Sequence, residues 1–142
     1  MKRQGWNSPE IEAPVGPFSH MVRAGDLLYL SGQTGQQSQT GAPMGDNVTE
    51  QTAQIFENIK AVLRTVNGDL RSIIKVTVFL TDMADFAAMN AVYARYFDPP
   101  YPARSTIAVK ALPLGALVEV ECIAQVEDEN TPDGSERSSL LP

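Results

Sequence analysis

Apolar residues recur at spacings of two in some stretches and of three to four in others, and the switches between these periods mark the elements. Ser19–Ala24 and Leu27–Gly32 are short, largely apolar runs separated by Gly25-Asp26, and they predict a β-hairpin. The Gln/Gly/Ser stretch from Gln33 to Gly45 has no period. Beyond it Val48, Thr52, Ile55, Phe56, Ile59, Val62, Leu63 and Val66 fall on one helical face, predicting an amphipathic helix of about five turns. Asn47, with Glu50 three residues on, is an N-cap signature, because the Asn side chain can accept from an orphan backbone N–H. Gly68 stands where a left-handed C-terminal cap is expected.

Ile73–Thr81 is β-branched and continuous enough for a central strand. Asp82 and Asp85 open a second helix with Phe86, Met89, Tyr93, Tyr96 and Phe97 on its apolar face, and Pro99-Pro100 must end it. Arg104–Lys110 and Ala116–Val126 read as two further strands, joined as a second hairpin. The order ββαβαββ predicts an α+β sandwich with both helices on one face of a mixed sheet. Residues 1–126 form a single domain on this reading. From Glu127 the composition turns to Glu, Asp, Asn, Pro, Ser and Gly, so 127–142 is expected to be a disordered acidic tail.

Period-two alternation sorts the last strand into Val118, Val120, Cys122, Ala124 and Val126 on one side and Leu117, Glu119, Glu121, Ile123 and Gln125 on the other. In the third strand Ile74, Val76, Val78 and Leu80 oppose Ile73, Lys75, Thr77 and Phe79. The second set in each strand is too polar for a core and too apolar for plain solvent exposure. Such a face suits burial against another copy of the chain, so a homo-oligomer is expected.

Charge narrows the partners. The tail's five acids against Arg137 hold -4 of the net -6, which leaves -2 for residues 1–126 and no Lys/Arg cluster of the kind that phosphate backbones select. Nucleic acid is not an expected partner. The basic residues at the start are not followed by an apolar run, and no stretch approaches membrane-spanning length, so a cytoplasmic protein without membrane association is expected. Cys122 is the single cysteine and His20 the single histidine, so neither a disulfide nor a clustered Cys/His metal site is expected. Cys122 lies in an alternating apolar run and reads as a core residue, and His20 as structural or solvent-facing.

One constellation carries chemistry. Arg104 in Pro102-Ala103-Arg104-Ser105-Thr106 begins one strand, and Val118-Glu119-Val120-Glu121 lies in the next, so an arginine and a carboxylate come within reach across a hairpin. Spacing leaves two readings open, a cross-strand salt bridge and a functional pair.

Several segments resemble, in order, those of the Rid family of reactive intermediate deaminases, also called the YjgF family. They are Gly16-Pro17-Phe18-Ser19, Leu30-Ser31-Gly32-Gln33, Glu57–Leu63, Lys75–Leu80, Phe86–Asn90, Tyr101–Ser105 and Gly115–Ala124. The resemblance spans residues 13–126, and Pro-Ala-Arg-Ser followed by an apolar-Glu-apolar strand is its most specific part. It implies a chorismate-mutase-like trimer with a central barrel and clefts between subunits. It also implies an enzyme that hydrolyses reactive enamines and imines to 2-oxo acids and ammonia, a 2-iminobutanoate/2-iminopropanoate deaminase-like activity. The family's carboxylate-binding arginine falls on Arg104, its water-positioning glutamate on Glu119 and its pocket serine on Ser31, while Gly32, Asn90 and Thr106 match positions near the cleft.

These residue types suit that chemistry. A guanidinium grips a carboxylate through two parallel hydrogen bonds, and a carboxylate of raised pKa can orient a water or move a proton at the imine carbon. No metal or organic cofactor is required, because a protonated imine is already electrophilic. Phe18 stands where many members have Tyr, which keeps the ring and removes a hydroxyl donor; two readings stay open, a pocket that favours a more apolar ligand and a ring that acts by packing alone. Two other readings remain, a non-catalytic oxo-acid-binding or regulatory trimer and an endoribonuclease. The nearly neutral body argues against the second.

Overall fold

The structure, a computed structural model, describes residues 2–37 and 44–127. Six strands and two α-helices follow in the order β1 (Gln4–Trp6), β2 (Met21–Ala24), β3 (Leu27–Gln33), α1 (Val48–Arg64), β4 (Ile73–Leu80), α2 (Phe86–Tyr96), β5 (Ala103–Ala108) and β6 (Val118–Gln125). They form the expected α+β arrangement, with two helices on a mixed sheet of order β1-β2-β3-β6-β4-β5. β4 and β5 are parallel, and every other neighbouring pair is antiparallel.

β1 is additional to the elements expected, since three residues are too few to show a period. It pairs with β2 through Gln4–Trp6 and Met21–Arg23, and a Cβ at Gly5 would stand 2.8 Å from Ser19 Oγ, so the serine side chain would have to turn away to admit one. The β2–β3 hairpin turns at Gly25, whose φ of +62° a residue with a side chain rarely adopts.

The second expected hairpin does not form. β5 lies at the sheet edge, parallel to β4, while β6 inserts between β3 and β4. Helix α2 carries the chain back from the end of β4 to the start of β5, and such a crossover returns the next strand parallel. β6 then takes the central slot, which fits its uninterrupted alternation of buried Val118, Val120, Cys122 and Ala124.

The core lies between the sheet and the helices. From α1 it takes Ile55, Phe56, Ile59, Val62 and Leu63, and from α2 Met89, Val92 and Tyr93; these close over Val76, Val78, Leu80 and the inward row of β6. In β4 the alternation changes phase at its start, because an irregularity in the β4–β6 pairing sends Ile73 inward and leaves Ile74 44% exposed, the reverse of the simple period-two assignment. The opposite face is mixed as expected, with exposed Tyr29 and Glu121 beside half-buried Thr77, Phe79, Glu119 and Ile123.

Asn47 caps α1 as expected, its Oδ1 accepting from the Glu50 N–H at 2.8 Å. At the other end the left-handed residue is Asn67 (φ +59°), one position before Gly68. The Gly68 N–H reaches Leu63 O at 2.9 Å and the Asn67 N–H reaches Arg64 O at 3.2 Å, the paired bonds of a Schellman cap. Asp82 caps a short 3-10 turn through the Ala84 N–H, and α2 follows directly. Glu127 accepts from Ser72 Oγ at 3.0 Å, so the chain is still attached there; the rest of the acidic tail lies outside the described residues.

These caps can be tested separately from the core. Asn47→Ala should destabilise the protein by about 1 kcal/mol, and Asn67→Ala by a similar ~1 kcal/mol through left-handed strain, whereas Asn67→Gly should be tolerated. Urea denaturation midpoints at unchanged m-value would measure each.

Candidate functional site

A cleft of about 620 Å³ opens between the N-terminal arm, the end of β3 and the start of β6, and Phe18, Ser31, Gly32 and Glu119 all line it. Its geometry begins with an extra residue in β3. Leu30 pairs with Cys122 and Gln33 with Val120, three steps on one strand against two on the other, so Ser31 and Gly32 form a bulge. The bulge turns Ser31 so that its N–H reaches His20 O at 3.0 Å and its Oγ donates to Ser19 O at 2.7 Å. It also brings the backbone of Gly32 against Glu119. A Cβ at position 32 would lie 3.0 Å from both the carboxyl carbon and Oε2 of Glu119, so a side chain there would press the carboxylate from its place.

The arm forming the outer wall is fastened at several points. His20 is 2% exposed; its Nδ1 accepts from the Ser8 N–H at 3.0 Å and its Nε2 lies 3.0 Å from Glu12 O, which fixes the neutral Nε2–H tautomer. Burial lowers the pKa of His20, opposed by the bond to the Glu12 carbonyl. Glu10 adds a two-point ion pair to Arg64 at 3.0 and 3.1 Å. His20 is thus the structural member of the two readings open for it. Nothing in the sequence around it signals that both ring nitrogens hold the cleft wall.

Burial raises the pKa of Glu119, reinforced by the negative charge of Glu121 two residues on. Around the mouth stand exposed apolar groups, with Phe18 47%, Val15 81% and Leu114 72% exposed. Leu114 holds a left-handed backbone (φ +58°), an unusual conformation for a bulky residue. Cys122 is buried, and burial pushes its thiol up to about 12, consistent with a core residue. Among the described residues no cluster of three His, Cys, Asp or Glu side chains could hold a metal ion.

Arg104 is elsewhere. It pairs in register with core residue Val76, so its side chain takes the helix-facing side of the sheet, as does Thr106 beside Val78. There Arg104 Nη1 donates to Asn90 Oδ1 at 2.7 Å, and its guanidinium lies over the rings of Tyr93 and Phe86. The Thr106 hydroxyl is buried without a hydrogen-bond partner among the described residues. Glu119 pairs with Phe79 on the opposite face, with β4 between its strand and β5. The cross-hairpin approach of Arg104 and Glu119 within one chain is therefore not realised. The sequence-designated residues separate into Phe18, Ser31, Gly32 and Glu119 around the cleft, and Arg104, Asn90 and Thr106 beside α2.

A family model described as endoribonuclease L-PSP matches residues 9–126. Reactive Intermediate Deaminase A, chloroplastic, of Arabidopsis thaliana is 40% identical over 124 residues, which cover 87% of this chain and 66% of the plant protein, just under two thirds of its length. The chain belongs to the Rid family. Another Rid relative, the 2-iminobutanoate/2-iminopropanoate deaminase of Dermatophagoides farinae, is 36% identical over 121 residues, or 85% of this chain and 94% of that one. Among solved structures, Escherichia coli TdcF with bound serine superposes with a TM-score of 0.81 at 34% identity, covering 87% of this chain and 99% of that one. No helix among the described residues is long and apolar enough to cross a membrane.

The raised pKa of Glu119 has a measurable sign. A carboxyl whose folded pKa exceeds its unfolded value favours folding most when protonated, and that contribution is lost as pH rises through the folded value. Glu119→Gln should therefore melt above wild type near pH 7, with the difference shrinking toward zero below pH ~4. Paired thermal melts across that range would show it, and a constant offset would contradict the burial argument.

Proposed function

We propose that this protein hydrolyses the C=N bond of 2-imino acids, the tautomers of reactive enamines, to 2-oxo acids and ammonia, in sites completed between the subunits of a homotrimer. The observation that carries this reading is the state of Arg104. Its charge has no acid partner among the described residues, Asn90 occupies only Nη1, and Nε and Nη2 remain available for a carboxylate. A guanidinium steadied by neutral groups keeps its full charge for an anionic ligand, whereas a salt-bridged one would have spent it.

The steps follow from the residue types. Arg104 binds the substrate carboxylate through two parallel hydrogen bonds. Glu119 orients a water and takes a proton from it as the oxygen bonds to the imine carbon, and the C=N electron pair moves to nitrogen. Returning that proton to nitrogen turns it into an ammonia leaving group; as the carbinolamine hydroxyl gives its own proton to Glu119, the C–N bond breaks, ammonia departs and the C=O bond forms. Burial, reinforced by Glu121, raises the pKa of this carboxyl, which favours its taking and returning a proton. Ser31 and Gly32 shape the pocket around Glu119, and Asn90 and Thr106 lie on the arginine's side.

Shared sites are supported by the two half-constellations on opposite faces of one sheet, each short of what the other holds. Within one chain Arg104 and Glu119 cannot grip the same small molecule. Two copies could supply them together, and the mixed sheet face offers a surface for that contact. The deaminase names of two Rid relatives and the serine in TdcF support a small carboxylate-bearing ligand.

Imines generated by an amino-acid oxidase in the presence of semicarbazide provide the assay, with activity read as suppressed semicarbazone formation. Arg104→Ala should remove affinity for 2-oxo acids at a cost of about 2–5 kcal/mol, and Arg104→Lys should recover little of it. Glu119→Gln should keep that affinity while the rate falls about 10²–10⁴-fold. Co-refolding equal amounts of the two inactive variants should restore about a quarter of wild-type activity, because a random half of the sites keeps each required residue. No recovery in assembled mixed trimers would mean that each site lies within one chain, and wild-type oxo-acid binding without turnover would leave a binding protein.

A further inference from the structure

Helix α2 meets Arg104 with three side chains at spacings of four and three residues, and so on one helical face: Phe86, Asn90 and Tyr93. The guanidinium carbon lies 4.6 Å from the centroid of the Tyr93 ring and 5.6 Å from that of Phe86. Tyr93 is firmly seated. It is 5% exposed, stands edge-on to Phe56 with centroids 5.7 Å apart, and packs against Phe97 at 4.6 Å. Burial raises the pKa of its hydroxyl and the nearby Arg104 cation opposes that rise; the hydroxyl makes no well-formed hydrogen bond among the described residues, and the defined contact with Arg104 is that of the ring.

A single hydrogen bond from Nη1 to Asn90 fixes one point of the guanidinium and leaves rotation about that bond free. An aromatic face beneath the cation removes that freedom, because both the attraction to the ring and the contact area depend on how the planar group lies over it. Point and plane together determine where the Nε–Nη2 edge points. In a 2-imino acid the carboxylate and the C=N bond are conjugated neighbours, so holding one in plane constrains which face of the other meets the attacking water.

We infer that Tyr93 is a positioning residue that sets the plane of Arg104 and, through it, the orientation of a bound 2-imino or 2-oxo acid. The inference rests on the carboxylate-binding role proposed for Arg104 and adds a residue that touches no substrate. Phe86 plays a lesser part at its longer distance.

Calorimetric titration of the full chain with 2-oxobutanoate, together with imine turnover, tests it. Tyr93→Phe retains the ring and should bind within about twofold of wild type. Tyr93→Leu removes the ring and should weaken binding by about 3- to 30-fold. A phenylalanine carrying three ring fluorines at position 93 keeps the shape but drains the π-face, and should also bind more weakly than Tyr93→Phe at an equal melting temperature. This comparison holds even if Tyr93→Leu fails to fold.

Arg104→Lys supplies the other arm of a double-mutant cycle. Combined with Tyr93→Leu it should bind little worse than Arg104→Lys alone, since the ring acts through the guanidinium plane. Independent, multiplying losses, or a fluorinated ring that binds as well as Tyr93→Phe, would overturn the inference while leaving Arg104 as the carboxylate ligand. Wild-type affinity retained by Arg104→Ala would overturn both.

Discussion

A guanidinium and a carboxylate that meet in one chain cancel each other. The topology of this molecule keeps Arg104 and Glu119 apart within one chain, and on the function proposed above both retain their charge for a ligand. Period-two alternation sends them to opposite faces of the sheet, and β4 lies between the strands that carry them. Had β5 and β6 formed the hairpin that their spacing suggests, the two groups could have neutralised one another and neither would have kept charge for a ligand. The crossover through α2 prevents this by returning β5 parallel to β4, and the central slot passes to β6.

Each group then has its own surroundings, with opposite physical requirements. Arg104 needs contact without neutralisation, and aromatic faces and a carboxamide supply it, since neither carries a formal charge. Glu119 is partly buried beside another acid, which raises its pKa, and it lies close against the backbone of Gly32 with no partner cation among the described residues. The wall facing Glu119 is stiffened separately, by the His20 bonds and the Glu10–Arg64 pair that hold the arm to the body.

Much of this was legible in the sequence where the signal is local. Helix α1 and its Asn47 cap follow from period and from one hydrogen-bonding side chain, and the inward row of β6 follows from alternation alone. Order among strands was not legible, because a hairpin and a strand that inserts elsewhere share the same local spacing. The phase of β4 was misread at Ile73 and Ile74 since an irregularity one residue long breaks a period of two. Asn67 took the left-handed position in place of Gly68 because either residue type tolerates it. Of the site, spacing raised Arg104 and Glu119 as an open pair, the family resemblance gave them roles and added Phe18, Ser31 and Gly32, and the structure divides these residues between two places. The cradle of Phe86 and Tyr93 was hidden among residues that read simply as the apolar face of α2, and the double engagement of His20 has no sequence signature at all.

The two halves also differ in how far apart their parts lie along the chain. Asn90 meets Arg104 across fourteen residues, and the whole cradle lies in the contiguous stretch from Phe86 to Arg104. Gly32 and Glu119 are eighty-seven residues apart and meet only once β6 has paired with β3. Loop-closure entropy is therefore small for the arginine's surroundings and large for those of the carboxylate, so the cationic half can be built from short-range contacts while the acidic half waits for the last strand. On the roles proposed above, the surroundings of the carboxylate-binding arginine depend on local contacts, and those of Glu119 on the pairing of the last strand.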